Sequence, residues 1–290
     1  MESRLRISIV IPVYNEEDMI ASCLDAVLSQ AAPADEIIVV DNNSTDSTVE
    51  RLSAYDGRIV VLSEMRQGVH YARNTGFDAA SGDVIGRIDA DTRLPAEWIG
   101  QILSLFADPT VDAATGPTGY YDILMPQTIE KLDLFLRKVC AWSCRQRLDW
   151  LYGANMAVRA NAWHEVRTLV CEDSTIHEDV DLAIHMYDTA HRIIFSPTLF
   201  ASTSARRIRD SLPDFRRYLG MTEHTYATHH GQATNDALWR ARFINWVILS
   251  CYFPLNIMHR AHHPDRRGFW FGGLRSAHPA RKNPMSIGRN

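Results

Sequence analysis

The sequence predicts an α/β fold in which helices flank a mostly parallel central sheet. Two observations predict it. In the first 110 of its 290 residues, four short apolar runs alternate with amphipathic stretches, the order that lays helices on both faces of a sheet. Each run is apolar throughout rather than alternating, as strands buried on both faces are. With 46% hydrophobic and 22% charged residues, and only 15 glycines and 12 prolines, the chain can bury a full core. That balance excludes wholesale disorder and fibrous repeats.

The elements follow in order. RISIVIPV (6–13) reads as a buried strand. Residues 18–30 follow as a helix with Met19, Ile20, Cys23, Leu24, Val27 and Leu28 on one face. EIIVVD (36–41) is the second strand, and Asn43, Ser44 and Thr45 offer cap chemistry for a helix reaching about Tyr55. Residues 59–63 form a third buried strand, 70–80 a helix, 84–89 a fourth strand, and 95–106 a helix with Pro95 in its first turn. Beyond residue 110 the pattern loosens. Helices are predicted over 128–148, 177–189, 213–230 and 237–258, with strand-like stretches at 153–159 and 193–196.

Charge and cysteine usage narrow the function classes. Net charge is −5, but residues 259–290 hold seven basic residues against Asp265 alone. The acidic body lacks the basic face of a duplex nucleic-acid binder. The basic tail suits an anionic membrane surface. Cys23, Cys140, Cys144, Cys171 and Cys251 are odd in number and contain no C-x-x-C pair. This predicts a reducing, cytoplasmic setting and argues against a structural zinc. There is no small-residue cleavage site after the first apolar stretch and no uncharged apolar run of 18 residues, so neither a secretory signal nor a standard membrane span is expected.

In open parallel sheets, ligands bind beyond the carboxyl ends of the strands. Three such ends here carry acids: Pro12-Val-Tyr14-Asn-Glu16-Glu17, Asp41-Asn-Asn-Ser-Thr-Asp46 and Asp89-Ala90-Asp91. In extended chain Asp89 and Asp91 point to one side. Two carboxylates there repel unless a cation joins them, and a hard divalent ion bridged to substrate phosphates is the usual solution. Neither G-x-G-x-x-G nor G-x-x-x-x-G-K-[ST] occurs in this region, which disfavours a Rossmann pyrophosphate loop and a Walker ATPase.

SIVIPVYNEE, DEIIVVDNNSTDST, QGVHYARNTGFDAASGDVIGRIDAD and HEDVDL, in this order and spacing, resemble the inverting family 2 glycosyltransferases over about residues 6–200. The resemblance implies a GT-A-type fold: a nucleotide-binding half (about 1–110) and an acceptor half (111–230) forming a catalytic domain, followed by a helical, basic C-terminal extension (231–290). It further implies that Pro12, Tyr14 and Glu16 line the nucleoside, with Tyr14 against the base. Asp41 accepts a base imide or ribose proton, which favours a UDP-sugar and leaves a GDP-sugar open. Asp89 and Ala90 lie on the ribose side, and Asp91 ligates Mn2+ or Mg2+. Arg73 either approaches a phosphate or is a solvated helix charge.

The family inverts by one in-line displacement, in which a carboxylate takes the acceptor hydroxyl's proton. Glu178-Asp179 matches its acidic pair, and Asp179 is the expected base. Thr175-Ile-His-Glu178 also fits a capping box, and Asp181 reads as ordinary first-turn charge. Gly153-Ala-Asn155 resembles the start of the family's acceptor-side strand. Arg206, Arg207 and Arg209 suit a diphosphate clamp or a solvated loop, and His224, His229 and His230 are candidates for an added metal ligand. Residues 214–218 lack the Gln and Trp of the processive QxxRW motif, so single-sugar addition is expected.

Residues 243–258 are uncharged but contain Asn245, Pro254 and Asn256 and are short for a span. Trp246 and Tyr252 suit an interface. This predicts peripheral contact of 243–290 with the inner face of the cytoplasmic membrane, where a lipid-linked acceptor is met; a core helix or a homodimer contact is the alternative. The acceptor itself is a saccharide, lipid or small molecule. Two other functions compete. R-I-D-A-D-T (87–92) fits the h-D-x-D-x-T motif of haloacid-dehalogenase-type phosphatases, with Asp89 as nucleophile, but three strands precede it and Asp41 is left without a role. A non-catalytic sugar-nucleotide binder has no need of Asp179.

Overall fold

A computed structural model describes residues 4–124, 126–143, 148–229 and 234–262. Its strands are β1 (Ile7–Val13), β2 (Glu36–Asp41), β3 (Val60–Ser63), β4 (Val84–Arg87), β5 (Ala113–Thr115), β6 (Thr118–Tyr120), β7 (Met156–Arg159), β8 (Ile193–Phe195) and β9 (Ala201–Thr203). Seven form one sheet in the order β3-β2-β1-β4-β7-β5-β8, while β6 and β9 pair separately. The first four are mutually parallel, β7 runs antiparallel to both neighbours, and β5 and β8 are parallel. The expected mostly parallel sheet is therefore present, and both halves of the chain contribute to it.

The helices are α1 (Ile20–Leu28), α2 (Thr48–Ser53), α3 (Val69–Ala79), α4 (Trp98–Phe106), α5 (Pro126–Ser143), α6 (Ala160–Val166), α7 (Glu178–Asp188), α8 (Leu212–Thr228) and α9 (Thr234–His262), with a 3-10 turn at Ala205–Arg209. Side-chain alternation along β1 feeds two cores. Ile9 and Ile11 pack with Trp98, Ile102 and Leu24 on one face. Val10 packs with Val40, Phe77 and Trp163 on the other. Burying this apolar area at about 25 cal/mol per Å2 is the main force holding the layers together.

Three expectations need correction here. β3 is not buried, since Val60 is 46% and Val61 40% exposed; it is an edge strand paired with β2 alone. Asn43 and Ser44 do not cap α2, which starts after Ser47. Asp46 Oδ1 instead accepts the Thr48 N–H at 3.0 Å. Tyr252 does not face an interface: it is buried, and its hydroxyl donates to the Asp210 carbonyl at 2.7 Å.

The register carries the polar strand ends to one edge. Val13 lies opposite Asp41, and Val10 opposite Arg87. The chain order reverses between β1 and β4, the position at which such sheets open a crevice. α9 packs along α8, where Phe215, Leu219 and Tyr252 share a core and Asn245 Nδ2 donates to the Leu219 carbonyl at 2.9 Å.

Candidate active site

The loops after β1 and β2 are laced together. Asn15 N–H donates to Ser44 Oγ at 3.0 Å, Glu16 N–H to Thr48 Oγ1 at 2.8 Å, and Ser47 N–H to Glu17 Oε2 at 2.9 Å. Pro12 sits opposite Val40 in the sheet, and Tyr14 lies just beyond, half-buried. Asp41 is buried at the end of β2 and accepts the Ser44 N–H at 3.3 Å. Ser44 thus braces this loop pair.

β4 ends at Arg87, two residues earlier than expected. Asp89, Ala90 and Asp91 lie in a turn closed by Thr92 N–H to the Asp89 carbonyl at 3.0 Å. The two carboxylates are therefore not aligned along extended chain. Each is held by its own arginine: Asp89 by Arg87 at 3.0 Å and Asp91 by Arg206 at 2.9 Å. Arg206 also grips Glu16 with both terminal nitrogens, each at 2.7 Å. Asp91 is buried and Asp89 half-exposed. Negative potential from this turn reaches Cys23, whose thiol is pushed well up by burial first and then by Asp91, Asp89 and Glu16. Burial, followed by the Asp91 charge, likewise pushes the Tyr121 phenol up to about 12.

Arg87 joins this turn to the distant acidic pair. The same Nη2 that meets Asp89 donates to Glu178 Oε1 at 2.9 Å. Glu178 is buried, and its ion pair replaces the expected capping box. The N-cap of α7 is His177, whose side chain does not cap the helix, and Thr175 Oγ1 turns to Asp173 instead. Asp179 is half-buried; Oδ2 accepts the Gly153 N–H at 2.7 Å and Oδ1 the Val180 N–H at 2.9 Å. Gly153 is required by close approach, because a Cβ there would lie 1.5 Å from Arg87 Nη1.

Arg73 satisfies neither expectation. It is fully buried, stacked by Phe77 and Trp163, and donates to the Glu178 carbonyl at 2.8 Å. It anchors the start of α7 rather than meeting a phosphate or solvent. Asp181 is not ordinary first-turn charge either. It is fully buried, and Oδ1 lies 2.9 Å from His229 Nε2, so His229 joins Asp181 and not the Asp91 turn. Asn155 is a framework residue: Oδ1 accepts from Trp98 Nε1 at 2.8 Å, and Nδ2 donates to the Pro117 and Leu199 carbonyls.

Of the other candidates, Arg207 is stacked on Tyr218 at 4.2 Å and His224 is exposed. The Arg209 side chain, the Cys140 and Cys144 side chains, His230 and the basic residues 263–290 lie outside the described residues. Sequence reasoning missed Arg87 as a site residue. Its signal was a lone charge closing an apolar strand, which a buried strand tolerates only when the charge is paired.

A mixed sheet of this order, with arginine-paired carboxylates beyond one edge, is the arrangement of a GT-A-type fold. A mannosyltransferase from Pyrobaculum calidifontis, solved with GDP-Man and Mn2+, superposes with a TM-score of 0.64 over 94% of this chain and 77% of its own, at 20% identity. Glucosyl-3-phosphoglycerate synthase from Mycobacterium tuberculosis, solved with Mn2+, UDP-glucose and phosphoglyceric acid, gives 0.54 over 82% of this chain and 80% of its own, at 21% identity. In sequence, the glycosyl transferase family 2 profile matches residues 8–137, and that of glycosyl transferase family group 2 matches 84–264. The chain belongs to the family 2 glycosyltransferases. Among curated relatives, glycosyltransferase AglE of Haloferax volcanii is 37% identical over 116 residues, 38% of each chain. The chain spans less than half the length of the curated relatives it matches.

Proposed function

We propose that the protein is a metal-dependent inverting glycosyltransferase. It moves a single sugar from a nucleotide-sugar to an acceptor hydroxyl. The observation that carries this reading is Arg87, whose one nitrogen touches both Asp89 and Glu178. That contact supports a reading in which the Asp89–Asp91 turn and the acidic pair of α7 serve one reaction. Asp179, oriented by two backbone N–H groups, takes the acceptor proton as the new bond to the anomeric carbon forms and the bond to the diphosphate oxygen breaks. Pro12, Tyr14, Glu16 and Asp41 line the nucleoside, with UDP and GDP both accommodated by a carboxylate that accepts an N–H.

The donor set fits a hard divalent ion, because Asp91 and Asp89 offer carboxylate oxygens only; each is paired with an arginine, which a bound ion would have to share or displace. Asp91 and Asp89 would hold Mn2+ or Mg2+, which would supply neutralisation of charge on the leaving diphosphate. Residues 1–230 are assigned to catalysis, with 231–290 as the extension.

A lipid-linked acceptor is favoured by α9. Trp239, Phe243, Trp246, Phe253 and Ile257 are each more than 60% exposed and recur at helical spacing, and the basic residues follow. No helix among the described residues is long and apolar enough to cross a membrane, and the contact proposed is a peripheral one. Flotation with anionic vesicles should carry the full chain and release a Phe243→Ser/Trp246→Ser variant; a chain that never floats contradicts the membrane assignment.

The enzymatic assignment is tested by a thermal-shift screen of UDP and GDP with and without Mn2+. Ligand that binds only the native state raises Tm. One nucleotide should do so in a metal-dependent way, and Asp91→Ala should abolish the shift. No shift with either nucleotide contradicts the proposal.

A further inference from the structure

On the side of α7 turned away from the crevice, four side chains converge: Cys171 from the loop before α7, Asp181 and His185 from α7, and His229 from the end of α8. Their Sγ, carboxylate and ring-nitrogen atoms all lie within 4.8 Å of one another. We propose that this cluster is a structural zinc site, distinct from the ion at Asp91.

The spacing fits. Tetrahedral zinc with bonds of about 2.0–2.3 Å holds its ligand atoms about 3.3–3.6 Å apart. Here Cys171 Sγ is 3.6 Å from His229 Nε2, and Asp181 Oδ1 is 3.3 Å from His185 Nε2 and 2.9 Å from His229 Nε2. The protonation pattern also fits. His229 Nδ1 lies 2.7 Å from the Thr225 carbonyl, which can only accept, so Nδ1 carries the hydrogen. In the neutral ring Nε2 then offers a lone pair, and it faces a carboxylate and a sulfur. A cation between them would take all three groups as ligands, with the Cys171 thiol deprotonated. Backbone contact at the outer ring nitrogen is the usual support for a metal-bound histidine.

Asp181 supplies a further observation. Its side chain has no solvent exposure. Oδ2 accepts the Cys171 N–H at 3.0 Å, while buried Oδ1 and His185 Nε2 face each other at 3.3 Å without the geometry of a regular hydrogen bond. Both point into the space that His229 Nε2 also faces. A thiolate with two imidazoles and one carboxylate favours zinc over Mn2+ or Mg2+. Four protein ligands with no open position mark a structural rather than a catalytic ion. The cysteine spacing argues against a structural zinc only for ligand sets built on paired cysteines; this one uses a single cysteine. Bound zinc ties the loop before α7 and the end of α8 to the turn that carries Asp179, and Cys171 gives up its thiol proton to solvent on binding.

The test uses the full chain purified without a metal-affinity column from zinc-supplemented medium. After dialysis against metal-free buffer, about one zinc per chain is expected. Exchange for cobalt should give tetrahedral visible bands and a thiolate-to-cobalt charge-transfer band. That band should persist when Cys23, Cys140, Cys144 and Cys251 are serine, and disappear in Cys171→Ser. Asp91→Ala should leave zinc content and cobalt spectrum unchanged. Should Cys171→Ser fail to fold, His185→Gln must still alter the cobalt spectrum. Zinc far below one per chain together with no charge-transfer band in the unaltered protein overturns the proposal, as does a band that survives Cys171→Ser.

Discussion

Asp179 and Asp181 are two residues apart on α7, and about 200° apart around it. Asp179 stands at the crevice, held by backbone N–H groups of Gly153 and Val180. Asp181 turns inward to two imidazoles and a thiol. The same side chain in the same helical turn thus meets two chemistries. On the crevice side, carboxylates are gripped by the charged donors Arg87 and Arg206. On the inner side the partners of Asp181 are nitrogen and sulfur. Partners, rather than the acidic residues themselves, set what each side can do.

The largest effect on stability should come from Arg87. Arg87→Met leaves Glu178 buried without its cation, which costs about 3–5 kcal/mol. Denaturant unfolding measures this, and zinc content should stay unchanged if the two sides of α7 are independent. Asn155→Ala strips partners from Trp98 Nε1 and two carbonyls and should cost about 1–3 kcal/mol. Because Asn155 supports the shared frame, neither metal-dependent nucleotide binding nor the cobalt spectrum should change in kind.

Glu64 sharpens the comparison as a carboxylate outside both clusters. Hydrogen bonds from Arg66 lower it from the ordinary 4.5 to about 2, against a smaller effect of burial. A carboxyl lowered on folding stabilises fully above its unfolded value and loses that contribution as pH falls toward its folded one. Glu64→Gln should therefore destabilise at pH 7 and progressively less below 4.5, read by unfolding at several pH values. The smallest effect belongs to the exposed face of α9, where Phe253→Ser should change stability by no more than about 0.5 kcal/mol.

Much of the fold was legible because β1, β2 and β4 are continuous apolar runs and α1, α4 and α7 carry clear faces. β5, β6 and β9 have three residues each and are built from Ala, Thr, Gly, Ser and Tyr, without the apolar run that marks β8, IIF, at the same length. The edge position of β3 was hidden too, since VVLS reads the same whether it has one neighbour or two. In the site, Asp41, Asp89, Asp91 and Asp179 could be named from their motifs. Arg87 and Arg206 could not be given their partners: Arg87 meets Glu178 across 91 positions and Arg206 meets Glu16 across 190. Cys171 and His229 are 58 positions apart, so no local spacing announces them. Arg73 was misjudged because a helix charge looks solvated until the sheet and α7 close over it.

The central claim is that Asp179 moves the acceptor's proton while the Asp91 turn holds the donor. The direct measurement is sugar-transfer rate and metal-dependent nucleotide affinity in one preparation of Asp179→Asn. The account predicts a rate loss of about 100- to 10,000-fold with affinity unchanged. Transfer at the unaltered rate would contradict it.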